Sequence, residues 1–392
     1  MKLDGITVVD LSLVLPGPFL TQMMQDHGAQ VICVEPPPHG DPSRELDAKS
    51  CGHTPWFRNT HRGKASLCLN LKSASSRKAL LQVCKTADVF VEAFRPGVCS
   101  RLGIGYEQVK NVNPNIIYCS ITAFGQTGPY NNRPAHDINV EALSGSLSAN
   151  SGPDDKPVMP GVLGADMAAS LMAFGAVTMA LFRREKTGEG DYIDISMQDA
   201  LMGWMQNVVS PAITGADGLD VKSTRWWGGR AFYNVYETSD GKFLTLGGDE
   251  PKFVNGLLSA LGRNDLVSIA YRPPGEEQKP LVDFLRTTFL QKTLAGWTAW
   301  LSDKDICYGP VLSMDQAFRQ QHVIDREMLL TDDEGNKHIG IPIKYRNEPG
   351  YVRFKAPRLN EDAERILTAA GLTPEELESM RQSGALWDVP DD

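Results

Sequence analysis

The stretch that most limits the fold lies near the start of the chain. Ile6-Thr7-Val8-Val9-Asp10-Leu11 is a β-branched run after Gly5, which predicts a buried strand. Pro16-Gly17-Pro18 breaks the chain, Phe19 to His27 have helical character that Gly28 stops, and Val31 to Glu35 form a second strand ended by Pro36-Pro37-Pro38. Strand, helix and strand within about thirty residues make a βαβ unit, so the two strands run parallel with a right-handed crossover. The connecting turn is not GxGxxG, and the dinucleotide fingerprint is therefore absent.

The alternation continues. Ala65 to Leu71, Val89 to Glu92, Ile116 to Ile121 and Tyr192 to Ser196 are predicted strands, and Ser73 to Thr86 a helix. Residues 36–63, rich in Pro, Gly, His and Arg, are expected to loop over the surface. The pattern predicts an α/β domain with helices on both faces of a parallel sheet. Ligands of such sheets bind beyond the carboxyl ends of the strands. At 211–229 the composition turns to Pro, Gly and Trp226-Trp227, which predicts a linker. Residues 231–246 are two strands around an Asp240-Gly241 hairpin turn, followed by helical stretches at 251–262 and 280–302. The expected organisation is a large domain over 1–210, the linker 211–229, a smaller α+β domain over 230–330 and a C-terminal segment over 331–392.

The formal charge of −9 argues against a nucleic acid or a membrane surface as partner, because both need a basic face. Seven cysteines, an odd number without CxxC, suit free thiols in a reducing compartment, and the N-terminal residues MKLDGITVV have no signal-peptide character. A cytoplasmic protein is expected. The seven histidines lack metal-ligand spacing.

The chemistry concentrates in residues 133–171. His136 is followed by Asp137, and after a Gly/Pro/Asp/Ser-rich loop Asp166 opens an apolar run without charge until Arg183. A carboxylate there is a helix start signal, and a plain N-cap is the commoner role for it. The run is too short and too mixed for a membrane span, so a buried helix is expected. An imidazole and a carboxylate on neighbouring elements suit an acid/base pair.

Taken together, the motifs resemble the CaiB/BaiF superfamily of class III CoA-transferases and α-methylacyl-CoA racemases. The resemblance runs nearly end to end: Gly17-Pro18, Val34-Glu35-Pro36, Asn59 with Arg62-Gly63-Lys64, Leu69-Asn70-Leu71-Lys72, Phe94-Arg95-Pro96-Gly97, Gly125-Gln126-Thr127-Gly128-Pro129 and Asp194-Ile195-Ser196-Met197. It implies a Rossmann-like large domain, a smaller domain and an interlocked homodimer, with the C-terminal segment returning to the large domain. It implies an acyl-CoA substrate, with coenzyme A as part of that substrate and no prosthetic group. Arg62, Lys64 and Arg95 match positions near the CoA nucleotide. Asp166 matches the carboxylate common to both chemistries of the family. Ala135-His136-Asp137-Ile138-Asn139 is similar to the racemase motif GHDIN, where transferases more often carry Tyr at the histidine position. Glu250-Pro251-Lys252-Phe253 resembles the racemase segment whose Glu orients the histidine, and Asp305-Ile306-Cys307 before Pro310-Val311 is also racemase-like. Asp166-Met167-Ala168-Ala169-Ser170 lacks the racemase glycines and is closer to transferases. The balance favours racemase-type proton transfer at the α-carbon of a CoA thioester, with CoA transfer through an aspartyl thioester as the alternative.

Overall fold

The structure, a computed structural model, describes all residues except 51, 153, 155, 215–223 and 388–392. The chain divides into two units, Met1–Trp204 with Gln321–Asp392, and Met205–Gln320.

In the large unit the strands are β1 (Thr7–Asp10), β2 (Gln30–Glu35), β3 (Ala65–Cys68), β4 (Val89–Glu92), β5 (Ile117–Thr122) and β6 (Asp191–Ser196). They form one sheet in the order β3-β2-β1-β4-β5-β6. Every neighbouring pair is parallel, with Val8 opposite Val31 on one side and Val89 on the other. β4 and β5 are buried along their whole length, as strands covered on both faces must be, which is why Val89–Val91 and Ile117–Cys119 are apolar without alternation. The order reverses between β1 and β4. There the outgoing loops turn to opposite faces and leave a crevice at the carboxyl ends.

The helices that matter here are α1 (Pro16–Asp26), α2 (Pro55–His61), α3 (Ala74–Cys84), α4 (Asp137–Ser144), α5 (Gly164–Thr187) and α6 (Met197–Trp204). Leu20 and Met24 of α1 and Ala165, Ala168, Ala169, Ala173 and Val177 of α5 cover one face of the sheet, over Val8, Val91, Ile117 and Cys119. The alanine seam lets the α5 backbone lie close to the strands. Leu80 and Val83 of α3 cover the other face with Leu67, Phe90 and Tyr118. Each fully buried side chain of this size stabilises the layer by about 1.5–3 kcal/mol.

The apolar helix differs from its expectation. α5 is long and apolar enough to cross a membrane by length and composition, but only one stripe of it is buried. Leu171, Met172, Met179 and Phe182, spaced to share the opposite stripe, are exposed.

Residues 36–63 differ as well. They hold α2 and a buried charge cluster rather than a surface loop. Arg44 grips Glu35 with two donors, Nε at 2.7 Å and Nη2 at 2.8 Å. Burial works against the Glu35 charge, and the Arg44 fork overcomes it, holding the carboxyl below its ordinary range.

The C-terminal segment packs on the β3 edge. Asn360 Oδ1 accepts from the Cys68 N–H at 2.7 Å, Asp362 Oδ2 from the Ser66 N–H at 3.1 Å, and Leu386 bridges to Leu69. An exposed strand edge is thereby covered. Helices α10 (Ala363–Ala369) and α11 (Pro374–Gln382), numbered after those of the small unit, add Leu367, Leu377 and Met380 to the core.

The small unit has an antiparallel sheet of β7 (Tyr233–Glu237), β8 (Phe243–Gly247) and β9 (Tyr308–Pro310). Gly241 at φ 68° makes the β7–β8 turn. Helices α7 (Pro251–Ala260), α8 (Lys279–Phe289) and α9 (Leu294–Leu301) pack on it around Trp297, whose indole N–H donates to the Phe289 carbonyl at 2.7 Å. The stretch 280–302 is two helices rather than one, because the Thr293 hydroxyl accepts from the Gly296 N–H and starts α9. Of the expected linker, 215–223 lie outside the described residues. The described part includes a helix at Ser210–Thr214 and a 3-10 turn at Arg225–Trp227.

Candidate active site

A cleft of about 540 Å³ opens at the carboxyl ends of β1, β4 and β5, where the strand order reverses. Its walls include Val14 and Pro16 after β1, Phe94 and Arg95 after β4, His136 at the start of α4, and Asp166 in the first turn of α5. Three of the six residues singled out from the sequence, His136, Asp166 and Arg95, thus meet in one place.

The two carboxylates beside each other in this cleft behave differently. Asp137 is buried, and its Oδ1 accepts hydrogen bonds from the Ala165 N–H at 2.8 Å and the Asp166 N–H at 3.0 Å. Glu141, one turn further along α4, accepts from the Gly164 N–H at 3.0 Å. These side chains satisfy the orphan donors of the α5 N-terminus from outside the helix. Asp166 is therefore not the cap of its own helix. It is the third residue of α5, and Leu163 precedes the first turn. Among the described residues nothing donates a hydrogen bond to its carboxylate. Burial and then the neighbouring Asp137 charge push Asp166 up to about 7. A carboxyl poised there exchanges a proton readily at neutral pH.

His136 precedes α4 in extended backbone, and its N–H donates to Asn139 Oδ1 at 3.1 Å. That bond fixes the entry to the helix and leaves the imidazole exposed on the cleft wall. Arg95 is exposed in the loop after β4 and, among the described residues, makes no ion pair. Arg133 and Asn131 line the same cleft. The sequence reading passed over both, although Arg133 opens the stretch that holds His136.

The other cations are placed elsewhere. Arg62 is buried, with Nη2 on Asp26 Oδ2 at 2.8 Å and Nη1 on the Ile339 carbonyl at 2.6 Å. Lys64 is buried under the start of α1, with Nζ 2.9 Å from the Pro18 carbonyl, 2.7 Å from Thr21 Oγ1 and 3.5 Å from Asp10 Oδ2. Burial depresses its pKa, and Asp10 partly restores it. Arg62 and Lys64, expected near a phosphate, are both bound inside the framework, and neither lines the cleft. Their loop position looked like a nucleotide site because sequence spacing does not reveal which way a side chain turns.

Glu250 belongs to the small unit. It is the N-cap of α7 with Pro251 at the first helical position, and it is exposed. Gly248 is wedged there: a Cβ on it would meet Glu250 Oε2 at 2.9 Å and the Cys307 Cβ at 3.0 Å. The two racemase-like segments, 250–253 and 305–311, thus lie side by side.

The model of CoA-transferase family III matches residues 3–363. The chain belongs to that family. It is 33% identical to the acetyl-CoA:oxalate CoA-transferase of Acetobacter aceti over 91% of this chain and 93% of that protein. It is also 33% identical to the α-methylacyl-CoA racemase of Homo sapiens, over 96% of this chain and 95% of that protein. A CaiB/BaiF family protein from Brucella suis has the same fold, with a TM-score of 0.82 and 28% identity over 94% of this chain and 99% of that one. A family III chain is thus equally similar to a transferase and to a racemase, and the choice between them falls to the site.

Proposed function

We propose that this family III enzyme moves a proton at the α-carbon of an acyl-CoA thioester, with His136 and Asp166 as the two bases. The observation that carries the reading is that Asp166, whose carboxylate receives no hydrogen bond among the described residues and whose pKa burial pushes up, lines the same cleft as His136. One base removes the α-proton, and the other returns a proton to the opposite face, inverting the centre. Coenzyme A enters as part of the substrate, and Arg95 is proposed to meet one of its phosphates as a charge-assisted donor. Glu250 is proposed to orient the imidazole, a role that rests on its motif and its chemistry. A homodimer is part of the proposal. The exposed stripe of Leu171, Met172, Met179 and Phe182 on α5 supports it, because a contiguous apolar helix face calls for cover.

The alternative reading is CoA transfer between two acids, with Asp166 as the nucleophile that forms an acyl anhydride and then an enzyme thioester. It is favoured by Ala168-Ala169-Ser170, which puts side chains where racemases have glycines. The deciding experiment is α-deuterium uptake from heavy water, starting from each pure enantiomer of a 2-methylacyl-CoA, with His136→Ala and Asp166→Asn alongside the unaltered protein. Proton transfer predicts uptake that each variant loses from one enantiomer. Equal loss from both enantiomers in His136→Ala, or a hydroxylamine-sensitive adduct at Asp166, moves the assignment to CoA transfer.

A further inference from the structure

The loop between β1 and α1 holds a strained residue. Val14 has φ 69°, in the left-handed region that a β-branched side chain occupies only at a penalty. The Leu15 N–H donates to the Leu13 carbonyl at 3.0 Å. Leu13–Leu15 therefore make a γ-turn of the rare, positive-φ kind. Both peptide groups of Val14 are held by side chains from elsewhere in the large unit. Its N–H donates to Asp41 Oδ2 at 2.9 Å, and its carbonyl accepts from Trp56 Nε1 at 3.0 Å.

Asp41 is itself anchored on every side. It is 1% exposed, and its Oδ1 accepts from the Ser43 N–H at 2.7 Å. Its own N–H donates to Glu35 Oε2 at 2.9 Å, the carboxylate that Arg44 grips. His61 Nε2 stands 3.7 Å from Oδ2. The strained turn faces the cleft: Leu13, Val14 and Pro16 line it together with Asp166. The turn is also tied to the helix of Asp166, since the Ser170 hydroxyl lies 2.8 Å from both the Pro16 carbonyl and the Asp166 carbonyl.

We infer that Asp41 is a positioning residue of the cleft: with Trp56 it holds Val14 in the γ-turn and so sets how far the Leu13–Pro16 wall stands from Asp166. The inference rests on the cleft being the acyl-CoA site. Its force comes from the direction of the hydrogen bonds. A relaxed Val would turn its N–H away from Asp41 and carry the wall with it, and a shift near 1 Å at a reacting centre lowers rates on the order of 10²-fold.

The test is a rescue. Asp41→Ala, Trp56→Phe and the double variants of each with Val14→Gly are compared with Val14→Gly alone. Turnover and CoA affinity by calorimetry are measured in each folded variant, and the Trp56 indole N–H resonance in those that keep Trp56. Asp41→Ala is expected to lower kcat/KM on the order of 10²-fold and to shift the Trp56 resonance. Trp56→Phe is expected to lower kcat/KM by roughly a tenth as much, and it serves where Asp41→Ala does not fold. Glycine adopts positive φ without a clamp, so each double variant should come within about twofold of Val14→Gly alone. A residue that only supports the fold is not rescued in this way. Lost activity that Val14→Gly leaves unrestored overturns the inference, as does a folded Asp41→Ala with unaltered kcat/KM and CoA affinity. A failure of the acyl-CoA reading shows separately, as absent turnover in the unaltered protein, and CoA affinity then still judges the turn.

Discussion

Two groups of charge sit at the carboxyl ends of the same sheet, and they are built in opposite ways. The group beside β1, β2 and β3 is closed. Asp10 meets Lys64, Glu35 meets Arg44, and Asp41 accepts from the Val14 and Ser43 N–H groups. The group beside β4, β5 and α5 is open. Asp166 has no donor among the described residues, His136 is exposed, and Arg95 makes no ion pair among the described residues. Both lie within a few residues of a strand end, so position in the topology does not separate them. What separates them is whether each charge finds its partner inside the chain. Paired charges hold the loops in place, and unpaired ones are left for a ligand.

The sharpest break of this comparison is Asp166→Asn. Loss of an acid/base group is worth 10²–10⁴-fold, so net inversion should fall on the order of 10³-fold, with α-deuterium uptake lost from one enantiomer. The same change should leave CoA affinity nearly unaltered. A variant that retains turnover would take Asp166 out of the chemistry.

Next comes Lys64→Met in the closed group. Removing one partner leaves Asp10 buried without its cation, which costs about 3–5 kcal/mol of stability. Urea unfolding measures it. A variant as stable as the unaltered protein but weak in CoA binding would return Lys64 to the ligand site and erase the contrast.

Arg95→Ala is the counterpart in the open group. A charge-assisted phosphate contact contributes about 1.5–3 kcal/mol, so CoA affinity should fall by that amount with little change in stability. The loss should shrink as salt rises, because exposed charges are screened. Calorimetry at two ionic strengths checks both parts.

The smallest expected effect concerns pH. The folded pKa of Asp166 lies near 7, above its ordinary carboxylate value. Between those two values the folded chain holds a proton that the unfolded chain has released, so stability falls as pH rises through that window. Asp166→Asn removes the effect, and it should melt higher than the unaltered protein by on the order of 1–3 °C at pH 8 and equally at pH 3. The rate of any step that needs the ionised carboxylate should rise through pH 7. A higher melting point of the unaltered protein at pH 8 would place Asp166 among the satisfied charges.

The alternation of apolar strands and helices was enough to predict the parallel sheet. Hydrophobic period and Pro/Gly punctuation act locally, and β1, α1 and β2 announce themselves within thirty-odd residues of chain. The motif around His136 and the carboxylate at Asp166 were legible for the same reason, since each residue type stands next to its own helix signal. Side-chain direction was not legible. Residues 36–63 carry the composition of a surface loop, yet Asp41 and Arg44 turn inward because partners from β2 and the β1 loop await them. The N-cap of α5 comes from Asp137, 29 positions before Asp166, and no local window joins the two. Arg62 and Lys64 precede β3 whereas Arg95 follows β4, and the folded chain shows that the first two meet Asp26 and Asp10 while the third faces the cleft. Sequence determined which segments are strands and helices because those choices rest on near neighbours. Tertiary structure decided which charges are satisfied, because their partners are brought together by the crossovers of the sheet.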